Sequence, residues 1–293
     1  MSAKFTLMAV AAAAAMGVAT AAHASIIVEG SLVANLQSSD LSATSNIWTN
    51  QATGADSVGN FTKNGGGNLN VVSVSYNSQS YNALGLAGNG ANTVISALAA
   101  PTAITGNKAV SVEEWVDSTS LSGTQALLAY GFMANNNQSS EYSYGSGGPF
   151  HGQFNDAGWN GYTPTTGVKY IAWVYEPGVA TGGKASTLLV YVDGSLVDTA
   201  GLGNLNNQDT TLGVGAGNNG NSTASVATTW GRDVFSGDIL AARVETGTLT
   251  ASDIANNFAA GPLGNAAVPE PASLGLLAIG GLGLLLIRKR KTA

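Results

Sequence analysis

The chain contains no cysteine, which excludes disulfides, thiol nucleophiles and cysteine metal sites. Histidine is nearly as scarce, since His151 is the only one outside the N-terminal segment. A Ser-His-Asp triad needs a histidine beside a nucleophile, and no nucleophile-elbow sequence lies near His151. A zinc site would lack ligands as well, because cysteine is absent and only one histidine remains. These absences predict no catalytic residues and a protein that is not an enzyme.

Basic residues are also few in the body of the chain. Residues 25–264 contain 6 Lys and Arg against 16 Asp and Glu, so the net charge is 6 − 16 = −10. A nucleic-acid-binding protein needs a basic surface that neutralises phosphates, and this sequence provides none. With no disulfide to stabilise the fold, the body must instead bury a hydrophobic core, and about 240 residues are enough for one.

Long apolar runs occur only at the two ends. At the N-terminus, Lys4 precedes the apolar run 5–22, which ends at the small-x-small triplet Ala22-His23-Ala24. This pattern is typical of a secretory signal peptide cleaved after Ala24, so residues 1–24 are predicted to be removed on export. The alternative is an uncleaved membrane anchor.

At the C-terminus, three segments follow a linker at 263–267. They are Pro269-Glu270-Pro271, an uncharged apolar run at 272–287 and a basic tail at 288–291. The apolar run would span about 24 Å as a helix, and the basic tail favours a cytoplasmic C-terminus. This order at 268–293 resembles the PEP-CTERM sorting signal of Gram-negative bacteria. The resemblance implies an exosortase-type processing enzyme, a precursor anchored in the inner membrane and facing the periplasm, and delivery to the cell surface or extracellular matrix.

Between the ends, short apolar stretches alternate with glycine- and asparagine-rich turns. This spacing predicts an all-β fold, a β-sandwich or jelly roll, over residues 25–262. Asp193-Gly194 between two alternating segments predicts a tight two-residue hairpin. Thr250 with Asp253 predicts a capping box at the start of one helix, with Ile254 and Phe258 facing the sheet.

The order of these landmarks resembles LamG-like, concanavalin A-like domains. The matching segments are 48–50, 110–116, 167–172, 190–194, 235–239 and 249–254. The resemblance implies two packed antiparallel sheets and a binding or adhesion module, often for glycans and in some members with calcium at the sheet rim. Relatives commonly have Trp-His where this chain has Val168-Lys169, so no role of that histidine carries over.

A divergent glycan hydrolase is the first alternative, because some sandwiches of this shape cleave β-glucans with two carboxylates about 5 to 5.5 Å apart. The comparable cluster here is 113–117. On a strand, Glu113 and Asp117 would lie about 13 Å apart, and Glu114 would point to the opposite face. This spacing does not fit the reaction.

Calcium is left open. Carboxylate oxygens are ligands that calcium prefers, but no loop has the spaced acidic pattern of a specific site. The candidate acidic ligands are Glu141, Asp156, Asp233 and Asp238.

An aromatic-rich segment at 142–162 is the candidate ligand-binding surface. Sugars stack their CH faces on aromatic rings while polar groups bind the hydroxyls. The candidate residues are Tyr144, His151, Asp156, Trp159 and Tyr162. The alternative is that these aromatics only fill the core. The sequence therefore predicts an exported protein that binds extracellular polysaccharide or is a biofilm-matrix component; the second alternative is a structural surface protein without a specific ligand.

Overall fold

The computed structural model describes residues 25–86, 88, 90–132, 138–152, 155–218 and 230–263. The predicted signal peptide with Ala22 and Ala24, the motif Pro269-Glu270-Pro271, the apolar run 272–287 and the basic tail lie outside these ranges. Within them, no helix is long and apolar enough to cross a membrane.

The fold is all-β, as the sequence predicted, and consists of two large antiparallel sheets with one short helix. The eight-stranded sheet has the order β13-β12-β11-β7-β17-β5-β4, with β1 also paired to β17. Its strands are β1 (Leu32–Leu36), β4 (Val71–Tyr76), β5 (Gln79–Gly85), β7 (Val110–Ser118), β11 (Gly167–Glu176), β12 (Ser186–Val192), β13 (Ser195–Leu202) and β17 (Gly237–Thr246).

The seven-stranded sheet has the order β10-β9-β8-β14-β6-β3-β2. Its strands are β2 (Ile47–Trp48), β3 (Phe61–Lys63), β6 (Val94–Ala99), β8 (Ala126–Gly131), β9 (Ser139–Gly145), β10 (Gly148–His151) and β14 (Thr211–Val214). A separate two-stranded ribbon pairs β15 (Gly217–Asn218) with β16 (Trp230–Arg232). Short 3₁₀ turns cover Ser38–Asp40 and Gly90–Asn92.

The main core lies between the two large sheets. Successive side chains of a strand point to opposite faces, so one apolar set from each sheet is directed inward. On β7, Val112 and Val116 belong to this core, whereas Trp115 belongs to a second cluster. Tyr142 on β9 packs edge-on against Trp173 on β11, with ring centroids 5.9 Å apart. This contact crosses from one sheet to the other.

The second apolar cluster lies on the outer face of the eight-stranded sheet, under helix α1 (Ala251–Ala260). The predicted capping box is present, since the Asp253 amide donates to the Thr250 hydroxyl and the Thr250 amide to the Asp253 carboxylate. Ile254 is fully buried, and the Phe258 ring stacks on Trp115 at 5.5 Å. The helix therefore covers this outer face with the side chains that the sequence predicted.

The predicted Asp193-Gly194 hairpin is confirmed. Val192 pairs with Ser195, and the two turn residues have φ angles of 49° and 78°. Positive φ at both positions is characteristic of a type I′ turn, and glycine adopts it at little cost.

The outer face of the seven-stranded sheet is covered by the two-stranded ribbon. The Trp230 ring lies over Gly213 of β14, where a Cβ atom would overlap it, and clusters with Ala129. The Asn218 side-chain amide donates to the Gly131 carbonyl at 3.0 Å. The ribbon is thus fixed to the middle of this sheet by packing and by a hydrogen bond.

Candidate functional site

The five residues predicted to bind a ligand lie along the β10 edge of the seven-stranded sheet, on different sides of it. Tyr144 is fully buried in the main core. Its hydroxyl lies 3.2 Å from the Tyr162 hydroxyl and 3.1 Å from the Thr165 carbonyl. Because it is enclosed and hydrogen-bonded, Tyr144 supports the neighbouring rings and does not offer a contact surface itself.

Trp159 and Tyr162 are half-buried against the main core. Their ring centroids are 5.1 Å apart, and Trp159 also meets Tyr144 edge-on at 6.1 Å. The Trp159 indole N–H donates to the Gly145 carbonyl at 2.7 Å. Hydrogen bonding and packing therefore hold these two rings in place while part of each stays accessible.

His151 and Asp156 lie next to each other at the same edge. His151 is on β10, and its Nδ1 is 3.5 Å from an Asp156 carboxylate oxygen, while its Nε2 is 3.1 Å from the Thr124 hydroxyl. The Asp156 side chain is 63% exposed. The pair thus presents a reachable carboxylate, with the imidazole oriented from both sides.

Glu141 is a functional candidate that the ligand-site prediction did not include. It is on β9, directly opposite His151 on β10 and Ala129 on β8, and so on the outer face of the sheet. The residue is 1% exposed, and neither carboxylate oxygen has a hydrogen-bond partner in the described part of the chain. A buried carboxylate without a donor is costly, so its protonation state is expected to change.

Asp233 is the polar neighbour of Glu141 and follows β16 directly. Its φ angle is 49°, and its carbonyl accepts the Ala126 amide at 2.7 Å. Its carboxylate accepts from the Arg232 Nε at 2.7 Å. The left-handed backbone conformation and the two contacts fix the position of the Asp233 carboxyl group.

Burial is the main factor that raises the pKa of Glu141 to about 8. The Asp233 and Asp156 charges raise this pKa further, whereas the Arg232 charge lowers it. Glu141 therefore carries a proton at neutral pH.

Among the residues that the structure describes, no three His, Asp or Glu side chains come together to hold a metal. Of the four acidic residues considered as calcium ligands, Asp233 is paired with Arg232, Asp156 lies beside His151, and Glu141 is buried. Asp238 lies on β17 of the other sheet, opposite Asp117. Calcium binding, which the sequence left open, is not decided by this arrangement.

The carboxyl cluster at 113–117, which was considered for glycan hydrolysis, lies on the eight-stranded sheet. Glu113 and Glu114 are adjacent on β7 and are 3% and 0% exposed. Burial raises the pKa of both, well above the ordinary range for Glu114. Glu113 is within the network under α1, and neither carboxylate is accessible from solvent.

The alternation along β9 could have placed Glu141 on a polar face, because Tyr142 and Tyr144 share the opposite face. No local pattern predicts that Gly217, far along the chain, packs against its carboxyl group. This contact depends on the ribbon folding back over the sheet.

The PEP-CTERM protein-sorting motif matches residues 267–291. This motif marks an exported protein that an exosortase processes, with C-terminal membrane anchoring for sorting. No curated protein matches the sequence.

Solved structures with a similar fold include proteins that act on carbohydrates. An arabinofuranosidase complexed with arabinofuranosyl-α-1,2-xylobiose is 11% identical, with a TM-score of 0.51 over 80% of this chain and 60% of its own. Domain 4 of AbnA, a GH43 extracellular arabinanase from Geobacillus stearothermophilus in complex with arabinotriose, is 15% identical, with a TM-score of 0.42 over 78% of this chain and 98% of its own. A Trypanosoma rangeli sialidase is 16% identical, with a TM-score of 0.42 over 81% of this chain and 34% of its own.

The prediction that the protein is not an enzyme is therefore wrong. The β-sandwich that was taken to indicate a binding module is shared with the chain of an arabinofuranosidase, so the fold gives no ground for excluding glycan hydrolysis.

Proposed function

We propose that this exported, exosortase-sorted protein binds extracellular polysaccharide with its β-sandwich and acts as a component of the cell surface or extracellular matrix. The binding site is the β10 edge of the seven-stranded sheet. Its contact residues are His151, Asp156, Trp159 and Tyr162, and Tyr144 supports the rings from the core.

The observation that carries this proposal is the presence of two half-buried rings and an exposed carboxylate along one edge of the sheet. The segment after β10 pairs back onto it, since Ala157 bridges to Phe150. This pairing places Asp156 and Trp159 on the same short stretch of the edge. Sugar rings bind aromatic faces through their CH groups and carboxylates through their hydroxyls, so such an edge fits a saccharide chain.

The C-terminal segment supports the proposed destination. An apolar run before a basic tail would anchor the precursor in the inner membrane with the sandwich in the periplasm. Processing at the sorting motif would then separate the domain from its anchor. A polysaccharide-binding domain delivered in this way would meet its ligand at the cell surface or in the matrix.

A glycan-array experiment tests the proposal, using the chain from Ser25 onward in detergent, with calcium and with chelator. We expect selective binding that Trp159→Ala abolishes, because the indole supplies the stacking face. Leu98→Ala, which removes a side chain that is 57% exposed elsewhere on the surface, is the matched control. Absence of binding to every glycan would contradict the proposal and favour a structural surface protein. Loss of binding only in chelator would locate a calcium requirement.

Hydrolysis of the bound glycan is the second candidate, because an arabinofuranosidase has a similar fold. Product release from bound oligosaccharides tests this function, and absence of release from every glycan that the protein binds would contradict it.

A further inference from the structure

Two Asn-Gly pairs lie wholly within the described part of the chain, at 64–65 and 160–161. In such a pair the glycine backbone nitrogen can attack the asparagine side-chain carbonyl, because glycine has no side chain to hinder the approach. The attack requires a glycine amide that is free of hydrogen bonds and a backbone with room to move. The surroundings of the two pairs therefore decide which of them reacts.

The pair at 64–65 is protected. The Gly65 amide donates to the Ala91 carbonyl at 3.2 Å, and Asn64 is half-buried. A Cβ atom on Gly65 would lie 2.9 Å from the Ala91 methyl group, so the backbone is closely packed there. Attack by the Gly65 nitrogen would first have to break this hydrogen bond and move the chain away from Ala91.

The pair at 160–161 is open. Asn160 and Gly161 are both exposed and lie in a bend, and the Gly161 amide makes no hydrogen bond in the described part of the chain. Gly161 has a φ angle of 93°, and nothing lies within 4 Å of a Cβ atom added to it. The attacking nitrogen is therefore unprotected, and the chain around it has room to rearrange.

We propose that Asn160 is a site of spontaneous deamidation. The Gly161 nitrogen attacks the Asn160 side-chain carbonyl carbon, ammonia leaves with the proton of the Gly161 amide, and a succinimide ring forms. Water then opens the ring at either carbonyl, which gives aspartate or isoaspartate at position 160. The reaction consumes only water, so the modification accumulates with the age of the exported protein.

The position of Asn160 connects this modification to the polysaccharide site, a consequence that rests on the proposed function. Asn160 lies between Trp159 and Tyr162, whose ring centroids are 5.1 Å apart. Its backbone amide donates to the Asp198 carboxyl group on β13 at 3.0 Å. Isoaspartate adds one carbon to the backbone between the two rings, and either product places a new carboxylate close to Asp198. Both changes should separate the rings and lower the affinity for a saccharide.

Peptide mapping by mass spectrometry measures the modification without any ligand. The chain from Ser25 onward is kept in detergent at neutral and at mildly alkaline pH, and amide, aspartate and isoaspartate are quantified at both pairs over time. We expect Asn160 to lose its amide at least about fivefold faster than Asn64, because an ordinary hydrogen bond protects the Gly65 amide. Equal rates at the two positions, or an intact amide at Asn160, would overturn the proposal.

Asn160→Gln is the decisive variant, because it keeps an amide but would have to form a larger and less favourable ring. Asn64→Gln is the matched control in the other pair. On a glycan array, aged wild type and aged Asn64→Gln should bind less than fresh protein, in proportion to the isoaspartate formed, whereas aged Asn160→Gln should bind as before. Equal binding by fresh and aged wild type would contradict the effect on the site.

The indole N–H resonance of Trp159 separates failure of this proposal from failure of the proposed function. This N–H donates to the Gly145 carbonyl at 2.7 Å, so its chemical shift reports the position of the ring. It should change on ageing in wild type and stay constant in Asn160→Gln, whether or not a glycan binds. An unchanged resonance in deamidated protein would overturn the effect on the rings. Absence of glycan binding by fresh protein would contradict only the polysaccharide site.

Discussion

The two outer faces of the sandwich bury carboxyl groups in contrasting ways. Under α1 on the eight-stranded sheet, Glu113 accepts hydrogen bonds from the Tyr170 hydroxyl and, at 3.0 Å, from the Asn257 amide, and Arg243 offsets its charge. On the seven-stranded sheet, neither oxygen of the Glu141 carboxyl group has a hydrogen-bond partner in the described part of the chain. The first carboxyl group is hydrogen-bonded within the fold, whereas burial raises the pKa of the second to about 8, so that it is protonated at neutral pH.

The difference separates a hydrogen-bonded polar network from a buried carboxyl group that has no such partner in the described part of the chain. Buried polar groups in folded proteins are nearly always hydrogen-bonded, and exceptions call for an explanation. The Glu113 network also joins α1 to the segment before β1, since the Asn257 side chain exchanges two hydrogen bonds with the Ile27 backbone, at 2.6 and 3.0 Å. Its role is to hold α1 and this segment on the sheet. Glu141 instead lies under the ribbon, where Gly217 packs against its carboxyl group.

The largest expected effect is on the eight-stranded sheet, where the Glu113 carboxyl group is hydrogen-bonded. Glu113→Ala leaves Arg243 buried with less compensation and removes the acceptor for Tyr170 and Asn257. We expect the free energy of unfolding to fall by about 3 kcal/mol or more, because loss of one partner of a buried charged network exposes the others to the full desolvation cost. Urea unfolding followed by circular dichroism measures the loss. Glu113→Gln is the control and should lose less, and equal losses in the two variants would contradict the role of the charge.

A pH titration of stability sharpens the comparison, because each outer face contains one carboxyl group whose pKa is raised to about 8. Burial is the main cause for both Glu141 and Glu245, followed by the nearby charges of Asp233 and Glu113 respectively. A raised folded-state pKa gives stability that is complete below the ordinary value of 4.5 and is lost as pH rises to about 8.

The free energy of unfolding should therefore decrease between pH 5 and pH 8, by up to ~1.4 kcal/mol per pH unit for each group. Urea unfolding at several pH values measures the slope, and Glu141→Gln and Glu245→Gln should each make it shallower. Stability that stays constant or increases over this interval would show that these carboxyl groups are ionised in the folded protein.

A smaller effect probes the contact between the ribbon and the sheet. Gly217→Ala inserts a methyl group where the Glu141 carboxylate lies, and overpacking of this kind costs about 1–3 kcal/mol. Thermal unfolding and exchange at the Ala126 amide measure the global and local losses. Gly158→Ala is the matched control, because nothing lies within 4 Å of the added atom. If both variants behaved alike, the close packing of Gly217 on Glu141 would be disproved.

Local sequence patterns predicted features of the eight-stranded sheet better than those of the seven-stranded sheet. Asp193-Gly194 specified its own hairpin, and Thr250 with Asp253 specified the start of α1. These features depend on neighbouring residues alone, so turn and capping chemistry predicts them. The short apolar stretches between glycine- and asparagine-rich turns likewise predicted a sandwich.

The burial of Glu141 was not predictable in the same way. Its carboxyl group belongs to β9, and Gly217 packs against it because the ribbon folds over the sheet. Tyr144 shows the related difficulty, since sequence cannot tell an aromatic ring that contacts a ligand from one that fills the core. Its place on the inward side of β9 decided the matter.

The smallest predicted effect concerns α1, the helix that covers the Glu113 network on the eight-stranded sheet. Thr250 is exposed, and its hydroxyl accepts the Asp253 amide at 3.3 Å at the start of α1. Thr250→Ala removes this cap and should lower the free energy of unfolding by about 1 kcal/mol. Ser252→Ala, at an exposed position within the first turn, is the control and should change stability little.

The site of this loss tests the comparison between the two faces. Because α1 lies over Trp115 and the Glu113 network, fraying of its first turn should increase amide exchange in α1 and near Ile27, which Asn257 binds. Exchange at Ala126, under the ribbon on the opposite face, should stay unchanged. An equal increase at Ala126 would mean that the two outer faces open together and that the two faces are not independent of each other.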